Sequence, residues 1–277
     1  MSPCERIVDR DAPRSELWSI GRASFVILMV ILMACSVLFG LSSSRAEQVY
    51  PVPAGNDAVG FVSIFNGKTL EGWDGDPKYW RVENGCLVGE VTPETLLKQN
   101  TFIIWRGGTT RDFELKVDFR VSAHGNSGIN YRSEKFESGP FALRGYQCDI
   151  DGAKKYTGQN YEEKGRTFLA QRGDVCRVDA DGTSRIVGAV GNKETLASAI
   201  KDDDWNECHL VVRGNTMIHL VNGQIMSVVV DDDPKGRKFD GLLGVQVHTG
   251  PPMKIEYRSF RLKPLSLELL PTKPAAK

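Results

Sequence analysis

Between Gly145 and Gly152 the chain reads Gly-Tyr-Gln-Cys-Asp-Ile-Asp-Gly. In an extended segment this order sends Gln147, Asp149 and Asp151 to one face and Cys148 and Ile150 to the other. Carboxylates two positions apart in a strand stand roughly 7 Å from one another. At that spacing they can raise one pKa, hold a divalent cation or grip several hydroxyl groups at once. A strand face carrying ordinary solvated polar residues accounts for the same pattern. Other polar groups fall in phase on neighbouring segments. Gln246 and His248 alternate with Val245 and Val247, and Asn130 and Arg132 are expected to project together after the turn that holds Asn126. The stretch Tyr161 to Arg166 is expected to lie in a long loop in which Glu163 and Arg166 could close over a ligand.

The elements that must position these groups are strands. From residue 60 to 265 short apolar and polar alternations are separated by Gly, Asn and Asp turns. The clearest strand is 113–121, where Phe113, Leu115, Val117, Phe119 and Val121 alternate with Glu114, Lys116, Asp118 and Arg120. Segments 205–213, 217–221 and 224–230 follow one another through Gly214-Asn215 and Asn222-Gly223 as a β-meander. A last pair, 242–248 and 255–262, joins through Gly250-Pro251-Pro252. Helical propensity is confined to 92–99 and 194–201. About 200 residues of this kind predict an all-β fold, a two-sheet jelly-roll sandwich.

The 277 residues carry 35 basic and 35 acidic side chains, so whole-chain charge offers no case for a nucleic-acid partner. Arg14 and Arg22 precede an apolar run over 23–41 that ends at Ser42-Ser43-Ser44-Arg45-Ala46, the pattern of an export signal cleaved after Ala46. Two rivals are an uncleaved membrane anchor and a lipoprotein signal acylated at Cys35. Each places the rest of the chain outside the cytoplasm, periplasmic or extracellular, with membrane contact only through this segment. Residues 47–58, with Pro51 and Pro53, read as a linker, 59–265 as the domain and 266–277 as a tail. Cys86, Cys148, Cys176 and Cys208 are too few and too dispersed for a disulfide scaffold and are expected to be buried thiols. No zinc-ligand spacing occurs.

The blocks Phe61-Val62-Ser63-Ile64-Phe65-Asn66-Gly67-Lys68-Thr69-Leu70-Glu71-Gly72-Trp73 and Trp80-Arg81-Val82-Glu83-Asn84-Gly85 carry a family resemblance. It continues through Asp112-Phe113-Glu114-Leu115, Gly125-Asn126-Ser127-Gly128-Ile129, Trp205-Asn206, Val211-Val212-Arg213-Gly214-Asn215 and Asn222-Gly223. Over 59–265 the chain resembles the 3-keto-disaccharide hydrolase domain family. The resemblance implies a concanavalin A-like lectin/glucanase sandwich with a carbohydrate site on its concave sheet. Common members read G-Y-E-x-Q-x-x-D, where this chain has Gln147 for the Glu and Asp149 for the Gln.

That family's reaction is thought to exploit a ketone at C3 of a glycoside, which acidifies the C2 proton so that a base can remove it and the C1 substituent can leave, with water adding afterwards. It needs a base near C2, an electropositive group at the C3 oxygen and an acid for the leaving group. Asp149, Asp151 or His248 is expected as the base, Arg132 as the electrophile and Glu163 as an acid. Gln147, Asn126, Asn130, Arg166 and Gln246 would bind substrate. The residues establish no cofactor, although Asp149, Asp151 and His248 could together hold a divalent metal ion. The rival reading is a non-catalytic carbohydrate-binding module, and a third is an anchored surface or adhesion domain. His209 and His219 read as sheet histidines and His124 as a turn residue. Asp202-Asp203-Asp204 and Asp231-Asp232-Asp233 read as solvated turns, and Trp73, Trp80 and Trp105 as packing residues.

Overall fold

Side-chain alternation builds both layers of the protein. In the computed structural model, which describes residues 59–265, strand β6 (Phe113–Val121) buries Phe113, Leu115, Val117 and Phe119 and leaves Glu114, Asp118 and Arg120 part-exposed. Strand β13 (Asn206–Arg213) alternates in the same way, burying Cys208, Leu210 and Val212. The two pair antiparallel, Leu115 opposite Leu210, so their apolar faces coincide.

The first sheet has ten strands. Its path runs β12 (Ser184–Ala189), β11 (Asp174–Val178), β15 (Gln224–Asp231), β14 (Thr216–Val221), β13, β6, β17 (Met253–Pro264), β4 (Cys86–Val91) and β3 (Trp80–Glu83). β1 (Val62–Ser63) pairs with β17 off this path. The second sheet has seven, in the order β10 (Thr167–Ala170), β9 (Asn160–Glu163), β8 (Leu143–Asp151), β7 (Asn126–Lys135), β16 (Leu242–Val247), β5 (Thr101–Trp105) and β2 (Trp73–Asp74). From β5 the chain passes to the first sheet at β6, returns to the second for β7 to β10, goes back for β11 to β15, crosses once more for β16 and ends in the first sheet with β17. The expected sandwich is therefore present, with the meander at β13 to β15. Of the expected helices, only a 3-10 turn at Pro93–Thr95 and the helix Lys193–Ser198 form. Asn192 caps that helix, its side chain accepting from Glu194 N and Thr195 N.

The main core lies between the sheets and includes Leu87, Val117, Phe119, Ile129, Cys148, Ile150, Val245, Ile255 and Tyr257, each at 0 % exposure. A fully buried aliphatic or aromatic side chain contributes about 1.5–3 kcal/mol, so this interface fixes the sheets on one another. Trp73 and Trp80 belong to the same core and Trp105 packs against it, as packing residues would. The four cysteines among the described residues are buried free thiols, with Cys148 Sγ and Cys208 Sγ 3.7 Å apart. β8 departs from simple alternation, because all of its residues except Arg144 are buried. Tyr146, Cys148 and Ile150 meet the core, while Gln147, Asp149 and Asp151 are enclosed on the opposite face.

That opposite face is divided. At β5, Ile103 joins the main core while Phe102 and Ile104 form a second apolar cluster with Leu143. The 136–142 loop returns to this region, and Phe102 N donates to Phe141 O at 3.0 Å. The rest of the face is polar. The expected N-terminal signal or anchor, the linker and the C-terminal tail lie outside the described residues. Among the described residues no helix is long and apolar enough to cross a membrane.

Candidate active site

A cleft of about 420 Å³ opens over β8, lined by Gln147 and Asp149 together with Asn126, Glu163, His248 and Asn100. Tyr156, Tyr161, Lys164 and Phe168 also line its walls. Asp149 is 8 % exposed. Its carboxyl is held in place by a relay of amides across the sheet. Gln246 Nε2 donates to Gln147 Oε1 at 3.1 Å, which fixes the orientation of that amide, and Gln147 Nε2 donates to Asp149 Oδ1 at 2.7 Å. Gly128 on β7 stands opposite Asp149, and a Cβ there would lie 2.5 Å from Gln147 Cδ. The absence of a side chain at 128 therefore lets the Gln147 amide lie across the sheet.

Burial pushes the Asp149 carboxyl up to about 8, against the donation from Gln147 and with support from the negative charges of Asp151 and Glu163. At neutral pH the group is a carboxylic acid. With Oδ1 accepting from Gln147, Oδ2 is the oxygen that carries the proton. Burial, Glu163 and Asp149 also raise the Tyr161 phenol, so it too keeps its proton.

His248 follows β16, and its Nδ1 lies within hydrogen-bond distance of Thr249 O. A carbonyl only accepts, so Nδ1 carries the hydrogen and the neutral ring has its lone pair on Nε2. The same turn is tied across the cleft: Thr249 N donates to Asn100 Oδ1 at 3.0 Å, and Asn100 Nδ2 donates to Glu163 Oε1 at 3.2 Å. Glu163 ends β9, whose hairpin to β10 is closed by Glu162 accepting from Arg166 N at 2.9 Å and Arg166 Nε at 2.6 Å.

Of the residues expected from sequence, the fold thus brings Asp149, His248, Glu163, Gln147 and Asn126 together at one cleft. The others are placed elsewhere. Asp151 turns its oxygens inward, accepting from Lys155 N, Tyr156 N, Thr157 N and Thr157 Oγ1 at 2.8–2.9 Å, and so shapes the 152–157 loop. Those oxygens are not available to the Asp149, Asp151 and His248 metal set, and among the described residues no three His, Cys, Asp or Glu side chains form a metal-binding group.

Arg132 is a clearer correction. A register shift interrupts β7 after Tyr131 and Arg132 takes φ 47°, so the expected alternation with Asn130 fails. Its guanidinium binds Arg111 O, Gly214 O, Lys238 O and Asp112 Oδ1 instead. Arg166 is likewise turned from the cleft, paired with Asp231 at 2.7 Å and Asp233 at 3.2 Å as well as Glu162. Burial opposes its charge, but Asp231 and Glu162 outweigh that and hold it protonated. This also corrects the solvated-turn reading of Asp231, which is completely buried and accepts from Tyr146 Oη. Gln246 and Asn130 are buried away from the cleft; Gln246 supports Gln147, whereas the Asn130 amide has no hydrogen-bond partner.

The 3-keto-alpha-glucoside-1,2-lyase-like domain model matches residues 60–263, essentially the whole described domain. The chain belongs to this family. A 3-keto-disaccharide hydrolase of Bacteroides thetaiotaomicron is 35% identical to it over 103 residues, a match that spans only about a third of either protein, 35% of each. Among solved structures, a Parabacteroides distasonis ATCC 8503 chain provisionally named a glycosyl hydrolase superposes with a TM-score of 0.51 at 20% identity, covering 76% of this chain and 96% of that one. A second chain from the same organism gives a TM-score of 0.49 at 17% identity, covering 74% and 99%. The first of these likenesses speaks for the fold.

Within this lyase-like domain, sequence reasoning missed Asn100, Tyr156 and Phe168, which line the cleft beside Tyr161 and Lys164 of the expected 161–166 segment. Phe168 is 43 % exposed and meets Tyr161 edge-on at 5.1 Å. No sequence signal marked Phe168, because only the fold leaves this ring in water on a cleft wall, where it offers a face for a sugar.

Proposed function

We propose that the cleft cleaves the glycosidic bond of 3-keto glycosides by elimination followed by hydration. The observation that carries this reading is the pairing, in one cleft, of a carboxylic acid kept protonated at neutral pH with an imidazole whose Nε2 is free to accept. In this scheme His248 Nε2 removes the C2 proton. The electron pair passes into the C2–C3 enolate with the negative charge on the C3 oxygen. It then returns to form the C1–C2 double bond as the C1–O bond breaks, and Asp149 Oδ2 gives its proton to the departing oxygen. Lys164 and Asn126 take over the electropositive part that Arg132 does not play. Glu163, held by Asn100, binds hydroxyls, and Phe168 with Tyr161 stacks on the sugar. Water then adds at C1 for net hydrolysis. Membership of the family supports the substrate class, and export of the domain forms part of the proposal.

The exposed aromatic wall also suits a carbohydrate-binding module, which needs stacking and no acid. Incubation of the full chain with a 3-keto glucoside in deuterated solvent separates the readings. Elimination is expected to release the leaving group and to exchange deuterium into C2, with both lost in His248→Gln, and with release lost but C2 exchange retained in Asp149→Asn. Retained sugar binding without turnover on several keto sugars would establish the binding reading instead.

A further inference from the structure

Tyr156 and Phe168 stack at 6.1 Å and 22° and line not one cleft but two. Beyond this wall lies a groove of about 380 Å³, lined by Lys155, Gln159, Gln171, Arg172 and Lys193 with one carboxylate, Glu194. Among the described residues its cations form no close ion pair, although Arg172 lies within reach of the charges of Asp151 and Glu194 and Lys155 within reach of Asp151, so the groove keeps a net positive excess rather than three free charges. Arg172 donates from Nη1 to Thr157 O at 3.0 Å, from Nη2 to Lys154 O at 2.8 Å and from Nε to Lys193 O at 3.1 Å, three carbonyls and no carboxylate. Lys193 Nζ donates to the neutral amide of Gln171. The Lys155 ammonium lies 4.9 Å from the centre of the Tyr156 ring, directly on the shared wall. Elsewhere the pattern differs: nearby Lys154 pairs with Asp202 and Arg166 with three carboxylates.

A sugar stacked in the first cleft has its substituent directed either to solvent or across the Phe168 wall. We propose that the groove is a subsite for the leaving group, and that it selects leaving groups bearing a singly charged anion, a carboxylate or a sulfate ester. The inference rests on the cleavage reading for its term "leaving group", but the charge preference it predicts is independent of turnover. Arg172, fixed by its three carbonyls, supplies a standing positive potential, and Lys155 and Lys193, both exposed, reach the anion as mobile point charges.

The test uses the full chain and three unoxidised aryl glucosides differing at the para position: carbamoyl, carboxylate and sulfate ester. Calorimetry at low salt is expected to show a charged glucoside bound about tenfold more tightly than the neutral one, an advantage that shrinks at about 0.5 M salt. In Lys155→Gln/Lys193→Gln the ratio of charged to neutral affinity is expected to fall from about tenfold to about threefold or less, the remainder being sustained by Arg172. Comparison of the carboxylate and sulfate arms identifies which anion the groove takes. Equal affinities for all three compounds, or no detectable binding of the charged pair, would overturn the proposal. Turnover of the neutral 3-keto glucoside, measured separately, scores the cleavage reading: turnover with no charge preference leaves that reading standing and removes the subsite, and charge preference without turnover does the reverse.

Discussion

Replacing Asp149 by Asn should make the protein more stable while removing its activity. The folded protein holds the Asp149 carboxyl at about 8, whereas the unfolded chain restores it to about 3.8. With the folded pKa raised, the stability associated with this group is fully present below about 3.8 and is lost as pH rises towards 8. At pH 7 that interval is about three pH units, each worth about 1.4 kcal/mol, so burying the acid costs about 4 kcal/mol. Asn is uncharged in both states and nearly isosteric, and its Oδ1 can still accept from Gln147 Nε2. Urea denaturation across the pH range is the assay. The variant and the parent should have similar stability near pH 4, and their difference should widen to about 4 kcal/mol by pH 7 and level off above about pH 8. A difference that does not change with pH, or a variant less stable than its parent at pH 7, would refute the assignment of a buried neutral acid.

Three further outcomes follow from the same geometry. If Asp149 is the acid that protonates the leaving group, kcat/KM should fall about tenfold per pH unit above about 8 and be restored on return to pH 7; a rise over the same range in a pH-rate profile would make Asp149 the base. Gly128→Ala should displace the Gln147 amide, costing about 1–3 kcal/mol in denaturant titrations and lowering kcat through loss of the relay to Asp149. Unchanged kinetics would show that the relay is dispensable. Arg166→Leu leaves Asp231 buried without its cation and should cost about 3–5 kcal/mol of stability. Hydrogen exchange should also quicken at Glu162 and Glu163 as the β9 to β10 hairpin loosens.

Strand alternation made much of the fold legible. Residues 113–121 and the β13 to β15 meander could be placed because each apolar run has period two and ends at a Gly or Asn turn. The helical expectation at 92–99 shrank to a single turn, because the chain turns extended at Leu96 and only Leu97 of the segment reaches the core. Gln147 and Asp149 were readable as one face of one strand, and Asp151 shares that phase. Alternation does not say which of two carboxylates will meet open space and which will be taken by the next loop. Thr157, six positions on, is what turns Asp151 inward.

By itself, then, the sequence determined the β-sandwich, the family, the four cysteines of the domain as buried thiols and the polar face of β8, because each depends on local period, composition or contiguous motifs. Tertiary structure alone decided that Arg132 leaves that face, since one bulged residue reverses the side on which every later side chain falls. It decided that Asp231 answers Arg166, 65 positions earlier in the chain. It also decided that Asn100, Tyr156 and Phe168 share a cleft with Asp149 and His248. The raised carboxyl belongs with these, because desolvation is a property of what surrounds a group in space, and residues distant in sequence supply most of those surroundings.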